Sequence, residues 1–522
     1  MRFGFLIPAV ILSCVLAACG TTEGSANGPE IPVPPVIIAE PVEYQDEDPV
    51  TASEEPVVID FDIPTHNEYI VSLEFEPETR MIRGMESVRY TNRTGLPLEE
   101  LIFRIPLNAW RASGAGEPVA PYFVEFYGRI FRHGRDYGYM DILHVSLDSE
   151  ELTFTLSGTV LIISLPRALE PDETMNIRIQ FEAYIPKIAH RTGANLYAVW
   201  AGAFLPVEAV FGDDGWHTEP IYPVGNPFIL DVANYTVEIT TPMGYVVAGT
   251  GAKTETRRYD QMVTTFTASM VRGFAFAISP HFMRASATTP TGSTVVLYHY
   301  TPDLDTEYIL SVATETMAFF EETIGAFPYG QLTIVETDMY RAGETFSAVI
   351  FMDSLRLRNS QNLTSLRHEI GQQWFSVIIG SNPIEEAWLS GGLTQFLHVG
   401  LLGQPREQRE AIELSHHDLA AQIPLIRNEY SRRLSSRINV YESWGDYFLI
   451  QRRKGQIMFY ALYREMGEEN FRYLLREYYL QFAFQIASAR DFIELADEIH
   501  GGGLRRFFNY WLNTVGLPDL PR

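Results

Sequence analysis

The residues whose types and spacing could do chemistry lie in one short segment, which begins at His368-Glu369 and ends at Phe375. Imidazoles at positions i and i+4 point from one face of a helix, so a His-Glu-x-x-His segment can hold zinc while its Glu activates the bound water. Here the position four residues after His368 holds Gln372. A neutral carboxamide binds zinc poorly beside imidazole, thiolate or carboxylate. The segment therefore predicts either a metal-site helix that has lost a ligand or an ordinary helix with a His-Glu pair.

The residues that follow carry a resemblance to a known family. Gln373, Trp374 and Phe375 extend the segment, and the stretch Trp388-Leu-Ser-Gly-Gly392 comes later. Both resemble the membrane alanine aminopeptidases, a gluzincin family of zinc enzymes (peptidase family M1-like) that remove N-terminal residues from peptides. The resemblance implies a third zinc ligand, a Glu, nineteen residues after the second His. That position is Gly391 here.

Other side chains are poorly placed to replace the missing ligands. His398 lies seven residues beyond Gly391, which puts it roughly 10 Å too far along the helix axis. Four further candidates lie a turn or more too early, or are adjacent residues that cannot face one metal together: Glu385, Glu386, His416 and His417. We predict that no cofactor binds and that His368 and Glu369 are vestiges of a ligand and a general base. Zinc is the cofactor in the alternative reading.

A second implied feature is the site for the substrate's amino group. In the family that this chain resembles, a Glu within a Gly-x-Met-Glu-Asn strand holds that group. Alignment of the stretch from Arg341 to Phe351 puts Glu344 at this position, with Thr345 in place of the Asn. A carboxylate there could pair with an ammonium group. An ion-paired Glu with no ligand remains an equal alternative.

A third implied feature is the transition-state tyrosine, which the family places just before a Lys-Gly pair. The pair here is Lys454-Gly455, and the aligned residue is Arg452. Tyr447 lies five residues earlier, and an α-helix does not bring residues at that separation to the same spot. We therefore predict Arg341, Thr345, Tyr447 and Arg452 only as residues that line a substrate cleft.

The N-terminal residues are typical of a bacterial lipoprotein signal. Arg2 precedes an apolar run, and small residues at 16–18 precede Cys19. An uncleaved membrane helix is the alternative, although the run is short for one. We predict a signal peptide at 1–18 and a lipid on Cys19. A disordered tether, rich in Pro, Glu, Thr and Ser, is predicted at 19–56. The protein would then face away from the cytoplasm, with lipid as its only membrane anchor.

The charge of the chain argues against one class of partner. With 39 Lys and Arg against 66 Asp and Glu, the formal net charge is −27. Nucleic acids and anionic lipid surfaces both require a basic surface. We therefore predict no nucleic-acid partner.

The periodicity of the remaining chain predicts a multidomain fold. Short alternating or β-branched runs separated by turn residues extend from Glu68 to about Phe282, which predicts mainly antiparallel sheet. Beyond a strand pair near residues 294–300 the apolar spacing lengthens, which predicts helices at 307–324, 366–379, 386–402, 451–466, 469–482, 489–498 and 504–511. From the resemblance, residues 57–300 form an N-terminal antiparallel β saddle domain. Residues 301–522 form a degenerate thermolysin-like α+β, mainly helical, peptidase domain.

Three functions fit these observations. The first is a catalytically inactive relative that binds a peptide or protein ligand in the cleft. The second is an active metallopeptidase with a non-standard metal site, with Glu369 as base, His368 as one ligand and Glu344 as amine anchor. The third is a structural component of a surface assembly. Metal content distinguishes the first two.

Overall fold

The computed structural model describes residues 66–112, 126–359, 363–398 and 405–520, all within a compact unit that spans Pro56–Arg522. The predicted signal peptide, Cys19 and the predicted tether lie outside the described residues. No helix among the described residues is long and apolar enough to cross a bilayer.

An eight-stranded sheet forms the largest element of the N-terminal part of the described chain. Its strands, in spatial order, are Ala252–Arg258, Gln261–Val271, Ala233–Pro242, Asn67–Glu76, Met81–Thr91, Thr174–Tyr184, Tyr139–Leu147 and Glu150–Glu151. In Asn67–Glu76 every second residue is buried, which is the period-two pattern of a sheet with one solvated face. The pairing is antiparallel except between Asn67–Glu76 and Ala233–Pro242.

Smaller sheets complete this part. One consists of Val246–Gly249, Phe276–Ser279, Val199–Ala201 and Thr192–Ala194, and another of Val207–Glu208, Leu98–Arg104, Val160–Leu169 and Phe154–Ser157. A short ribbon pairs Phe211–Gly212 with Gly215–Trp216. Short helical turns lie at Pro106–Trp110 and Tyr127–Ile130.

A five-stranded mixed sheet begins the second part. Its order is Met283–Thr288, Thr294–His299, Gln331–Thr337, Val349–Asp353 and Gly343–Phe346. All five residues of Val349–Asp353 are buried, as expected for a central strand covered on both faces. The sheet draws strands from both sides of the predicted domain boundary at residue 300. Its edge strand Gly343–Phe346 carries Glu344 next to the core.

Helices make up most of the rest of the described chain: Thr306–Thr323, Ser354–Arg358, Thr364–Gln372, Ala387–Phe396, Pro405–Gln422, Trp444–Tyr447, Gly455–Met466, Glu468–Phe482, Ala489–His500 and Leu504–Asn513. Two π-helical segments, Gln373–Ile378 and Phe448–Lys454, continue or precede α-helices, and short 3₁₀ turns lie at Ile423–Leu425, Tyr430–Arg432 and Ile438–Val440. The order of an antiparallel sheet domain followed by a mainly helical α+β domain confirms the predicted fold class. The helix Pro405–Gln422 was not predicted.

Two glycines bring together the helices that carry the site. A Cβ atom on Gly392 would lie 2.9 Å from the Cα of Gly455, so the helices Ala387–Phe396 and Gly455–Met466 cross at a distance that only glycine permits. The residue before Gly392 and the π-helical residues before Gly455 are therefore neighbours. This crossing places Gly391 beside Arg452.

Candidate functional site

The predicted site residues converge on two adjoining cavities. The wide cavity has a volume of about 390 Å³ and is lined by His368, His398 and Trp444, among others. The narrow cavity, of about 60 Å³, is lined by other predicted residues: Glu344, Thr345, Gln372, Gly391 and Tyr447. Arg341, Glu369 and Arg452 line both cavities. All of the predicted site residues other than Cys19, which lies outside the described residues, thus surround one cleft.

His398 is also a wall of this cleft. Its ring centroid lies 5.2 Å from that of His368, in an edge-on arrangement. The predicted offset of roughly 10 Å separates His398 from Gly391 along one helix axis. It leaves open the distance to His368, which lies on the neighbouring helix Thr364–Gln372.

Both imidazoles are buried and neutral. Both ring nitrogens of His368 and Nε2 of His398 have no hydrogen-bond partner among the described residues. His398 Nδ1 lies 2.9 Å from the carbonyl oxygen of Thr394. Burial, reinforced by the charge of Arg452, holds the pKa of His368 well below its usual value. Burial also lowers the pKa of His398 to about 4. Neither ring therefore carries a positive charge near neutral pH.

Glu369 lines both cavities and accepts a hydrogen bond from a residue on the neighbouring strand Gly343–Phe346. Its Oε2 accepts a hydrogen bond from Thr345 Oγ1 at 2.8 Å. Burial raises its pKa, although the nearby Arg452 acts in the opposite direction. A carboxyl group whose pKa is raised keeps its proton to higher pH, and its ionised form is a stronger base.

The carboxamide of Gln372 is already used by the protein. Its Nε2 donates to Thr394 Oγ1 at 2.7 Å, and its Oε1 accepts from Ser376 Oγ at 2.5 Å. The oxygen is the only atom of a carboxamide that could bind a metal ion, and one of its two lone pairs already accepts the Ser376 bond. Gln372 therefore acts as a structural residue that joins its own helix to Ala387–Phe396.

Arg452 takes the space beside the third expected ligand position. A Cβ atom on Gly391 would meet only the Cγ atom of Arg452, at 3.6 Å. Arg452 makes no hydrogen bond or ion pair with any residue that the structure describes, and its Nε is buried without a partner. A half-buried guanidinium group with unused donors thus borders both cavities.

Glu344 is not free to bind an ammonium group. Arg191 Nε donates to its Oε1 at 3.0 Å, and Arg341 donates to its Oε2. Burial opposes ionisation, but these two guanidinium groups hold the pKa of Glu344 below its usual value. Arg341 in turn lies over the ring of Trp444, 3.8 Å from its centroid. Of the two alternatives that the sequence left open, the ion-paired Glu describes the geometry.

Sequence reasoning missed Arg191. It comes from the loop before Thr192–Ala194 in the sheet part of the chain, 153 residues from Glu344. Its Nη2 also donates to the carbonyl oxygen of Gly225 at 2.9 Å. No spacing or motif near Arg191 signals this role, because the partner comes from a distant strand.

Tyr447 and Arg452 do share a cavity, contrary to the argument from helix phase. The intervening residues Phe448–Lys454 form a π-helix, in which residue i bonds to i+5 and five residues complete about one turn. Tyr447 is buried against Tyr441 and Trp444. Both residues therefore line the narrow cavity, as residues five apart can on a π-helical turn.

The remaining polar candidates from the sequence are engaged elsewhere. His417 is exposed on the helix Pro405–Gln422 and lines neither cavity. The others pair as follows: Glu385 with Arg437 at 2.5 Å, Glu386 with the amide of Ala489 at 2.7 Å, and His416 with the carbonyl of Pro518 at 2.9 Å.

The residues present do not fit the zinc ion that the resemblance implies. Of the three expected ligand positions, one holds an available imidazole, one a carboxamide bonded within the protein, and one no side chain. A guanidinium group adjoins them, and like charges repel. Across the described ranges, no cluster of three or more His, Cys, Asp or Glu side chains is arranged to hold a metal.

Comparisons with known proteins agree on one family. Residues 308–511 match the model of the peptidase family M1 domain. Aminopeptidase O of Rattus norvegicus is 24% identical over 245 residues, which cover 41% of this chain and 30% of that protein. The mitochondrial aminopeptidase 2 of Saccharomyces cerevisiae is 23% identical over 231 residues, which cover 41% and 24%. The match thus spans less than a third of the length of these relatives.

Solved structures support the same fold over nearly all of the described chain. The M1 zinc metallopeptidase from Deinococcus radiodurans aligns with a TM-score of 0.65 at 16% identity, covering 88% of this chain and 95% of that one. A mutant of that enzyme bound to a Tyr-Ser-Ala substrate aligns with a TM-score of 0.63 at 16% identity, covering 88% and 96%. At this identity the likeness establishes the fold.

Proposed function

We propose that this chain, whose residues 308–511 match the peptidase family M1 domain, is a catalytically inactive relative of the aminopeptidases and binds a peptide or protein segment in the cleft. The observation that carries this proposal is the partnerless guanidinium of Arg452 beside Gly391. The positive charge of Arg452 lies beside position 391, where the family resemblance implies a glutamate that binds zinc.

The groups around Arg452 support the same conclusion. Gln372 is bonded within the protein, and Glu344 is neutralised by two arginines. Metal ligation and amine capture are therefore both impaired, whereas a cleft of about 390 Å³ remains. Such a volume suits a few side chains of a ligand.

A second candidate function has one specific observation in its favour. The rings of His368 and His398 lie 5.2 Å apart, and both ring nitrogens of His368 and Nε2 of His398 are buried without a hydrogen-bond partner among the described residues. Neutral imidazole is a common ligand for transition metals. A metallopeptidase with a non-standard site built on these two residues, and zinc as its cofactor, is therefore the alternative.

The compartment is proposed from the sequence. We place the protein outside the cytoplasm, attached to the membrane through a lipid on Cys19, with no nucleic-acid partner. The small residues that precede Cys19 and the net charge of −27 support this placement.

One experiment separates the two candidate functions. The protein is purified in mild detergent without chelators, its metal content is measured by elemental analysis, and hydrolysis of a panel of aminoacyl-coumarin substrates is followed. We expect far less than one metal per chain and no turnover. Near-stoichiometric metal with turnover that His398→Ala abolishes would establish the alternative, since His398 is outside the family's ligand set.

A further inference from the structure

The charged groups in the walls of the cleft and directly behind them include more arginines than carboxyl groups. Within the described residues, the charged groups of both cavities are Arg341, Arg452, Glu344 and Glu369, and Arg191 lies directly behind Glu344. Three guanidinium groups therefore face two carboxyl groups. The cleft is positive within a chain whose formal net charge is −27.

The three guanidinium groups are not equivalent. Arg191 and Arg341 share the two oxygens of Glu344. Arg452 has no such partner among the described residues, and its Nε is out of contact with solvent. A buried N–H donor without an acceptor is unfavourable, because its lost hydrogen bond to water must be replaced. An anionic ligand would supply the acceptors.

A second element of the wall also favours an anion. The helix Thr364–Gln372 begins at the wide cavity, where Thr364 and Ser365 are lining residues. Its N-cap is Leu363, which has no polar side chain, and its first turn has no acidic residue. The N-terminus of a helix carries a partial positive charge that attracts anions.

The apolar part of the wall limits the class of anion. Trp444 and Phe448 line the wide cavity beside the two arginines, and Phe448 is 40% exposed. An inorganic anion would leave these rings unused. A carboxylate on a peptide could pair with a guanidinium in the two-pronged geometry that arginine offers while its side chains cover the rings.

We propose that the cleft recognises a carboxylate group on its peptide ligand through Arg452, in reversal of the ammonium recognition that the family resemblance implies. The inference rests on the proposed binding function. The carboxylate belongs either to the C-terminus of the ligand or to an Asp or Glu side chain.

The test uses three pools of random octapeptides on the immobilised full-length protein. The first pool is N-acetylated, has a free C-terminus and lacks Asp and Glu; the second is acetylated and amidated and contains Asp and Glu. The third has a free N-terminal amine, is amidated and lacks Asp and Glu. Retained peptides are quantified by mass spectrometry. We expect at least tenfold enrichment from the first or second pool over the third, and the pool that is enriched identifies the source of the carboxylate.

Variants assign the interaction to one residue. Arg452→Gln should lower the enrichment roughly ten- to a hundredfold, since a hydrogen-bonded charge pair of this kind is worth one to two factors of ten. Arg452→Lys keeps the charge but loses the two-pronged geometry, and should restore binding in part. The matched control is Arg453→Gln, because Arg453 contacts Ser415 and does not line the cleft. It should bind like the unchanged protein.

Three results would overturn the inference. Preferential retention of the third pool would mean that the cleft still captures amines, and the proposed binding function would survive. Retention that Arg452→Gln leaves unchanged, with an altered melting temperature, would make Arg452 a structural residue. Retention of no pool, together with metal-dependent turnover, would refute the binding function itself.

Discussion

Rebuilding the expected ligand set offers the sharpest test of the geometry around Arg452. The variant Gln372→His with Gly391→Glu restores two ligand types at the positions that adjoin His368. A side chain at position 391 would be directed at Arg452, because the Cβ of this residue would lie 3.6 Å from Arg452 Cγ. The new carboxylate would therefore pair with the guanidinium rather than with a metal ion.

The size of the effect follows from the charges. A guanidinium about 6 Å from a zinc ion repels it by about 5 kcal/mol at an effective dielectric constant of about 20, which corresponds to nearly a ten-thousandfold loss of affinity. We therefore expect the double variant to bind zinc weakly. Addition of Arg452→Gln should tighten binding by about three to four orders of magnitude.

Zinc dissociation constants from competition with a chromophoric chelator measure this difference, with circular dichroism as a check on folding. Arg453→Gln in the double variant is the matched control and should not tighten binding. Equal affinities of the double and triple variants would refute the placement of Arg452 beside the metal position. Failure of a folded triple variant to bind zinc would refute the assignment of positions 372 and 391.

Three further predictions concern stability and anchoring. Gly392→Ala should lower the free energy of unfolding in urea by about 1–3 kcal/mol, because its Cβ would lie 2.9 Å from a backbone atom of the facing helix. The control Gly391→Ala should change this free energy by less than about 0.5 kcal/mol. Equal effects of the two variants would contradict the close crossing. Glu86 is fully buried, and its carboxyl oxygens have no hydrogen-bond partner among the described residues. Burial raises its pKa well above 4.5. The contribution of Glu86 to stability therefore falls as the pH rises above about 4.5, the pKa of the unfolded state. Glu86→Gln should therefore raise the melting temperature at pH 7 by more than at pH 4, while Glu74→Gln, on the exposed face of the same sheet, should show no such pH-dependent gain. Cys19→Ser should abolish incorporation of a clickable fatty acid in cells, and persistent labelling would contradict the proposed anchor.

The charge balance of the cleft gives a physical reason for the replacements to occur together. A zinc ion would contribute two positive charges among the carboxyl groups of Glu344 and Glu369. Without it, those groups need other cations nearby. Arg191 and Arg341 neutralise Glu344, and Arg452 lowers the pKa that burial alone would give Glu369. The arginines therefore supply the positive charge that a metal would otherwise provide.

Several features could be predicted from the sequence because they depend on residue identity or on local periodicity. The absence of a metal-binding side chain at Gly391 and the carboxamide at Gln372 are properties of single positions. Helices such as Glu468–Phe482 and Leu504–Asn513 follow from apolar residues at helical spacing. The antiparallel strands follow in the same way from alternation, as in Asn67–Glu76.

Tertiary structure alone decided which charges and rings meet. Arg191 reaches Glu344 across 153 residues of chain, and His398 meets His368 because two helices cross. A π-helical turn brings Tyr447 and Arg452 to one cavity. The chemical type of a side chain is fixed by its own codon, whereas its partner is fixed by how distant segments pack. The sequence by itself therefore determined which ligands are missing, and only the packing determined that a guanidinium group lies beside the position of one of them.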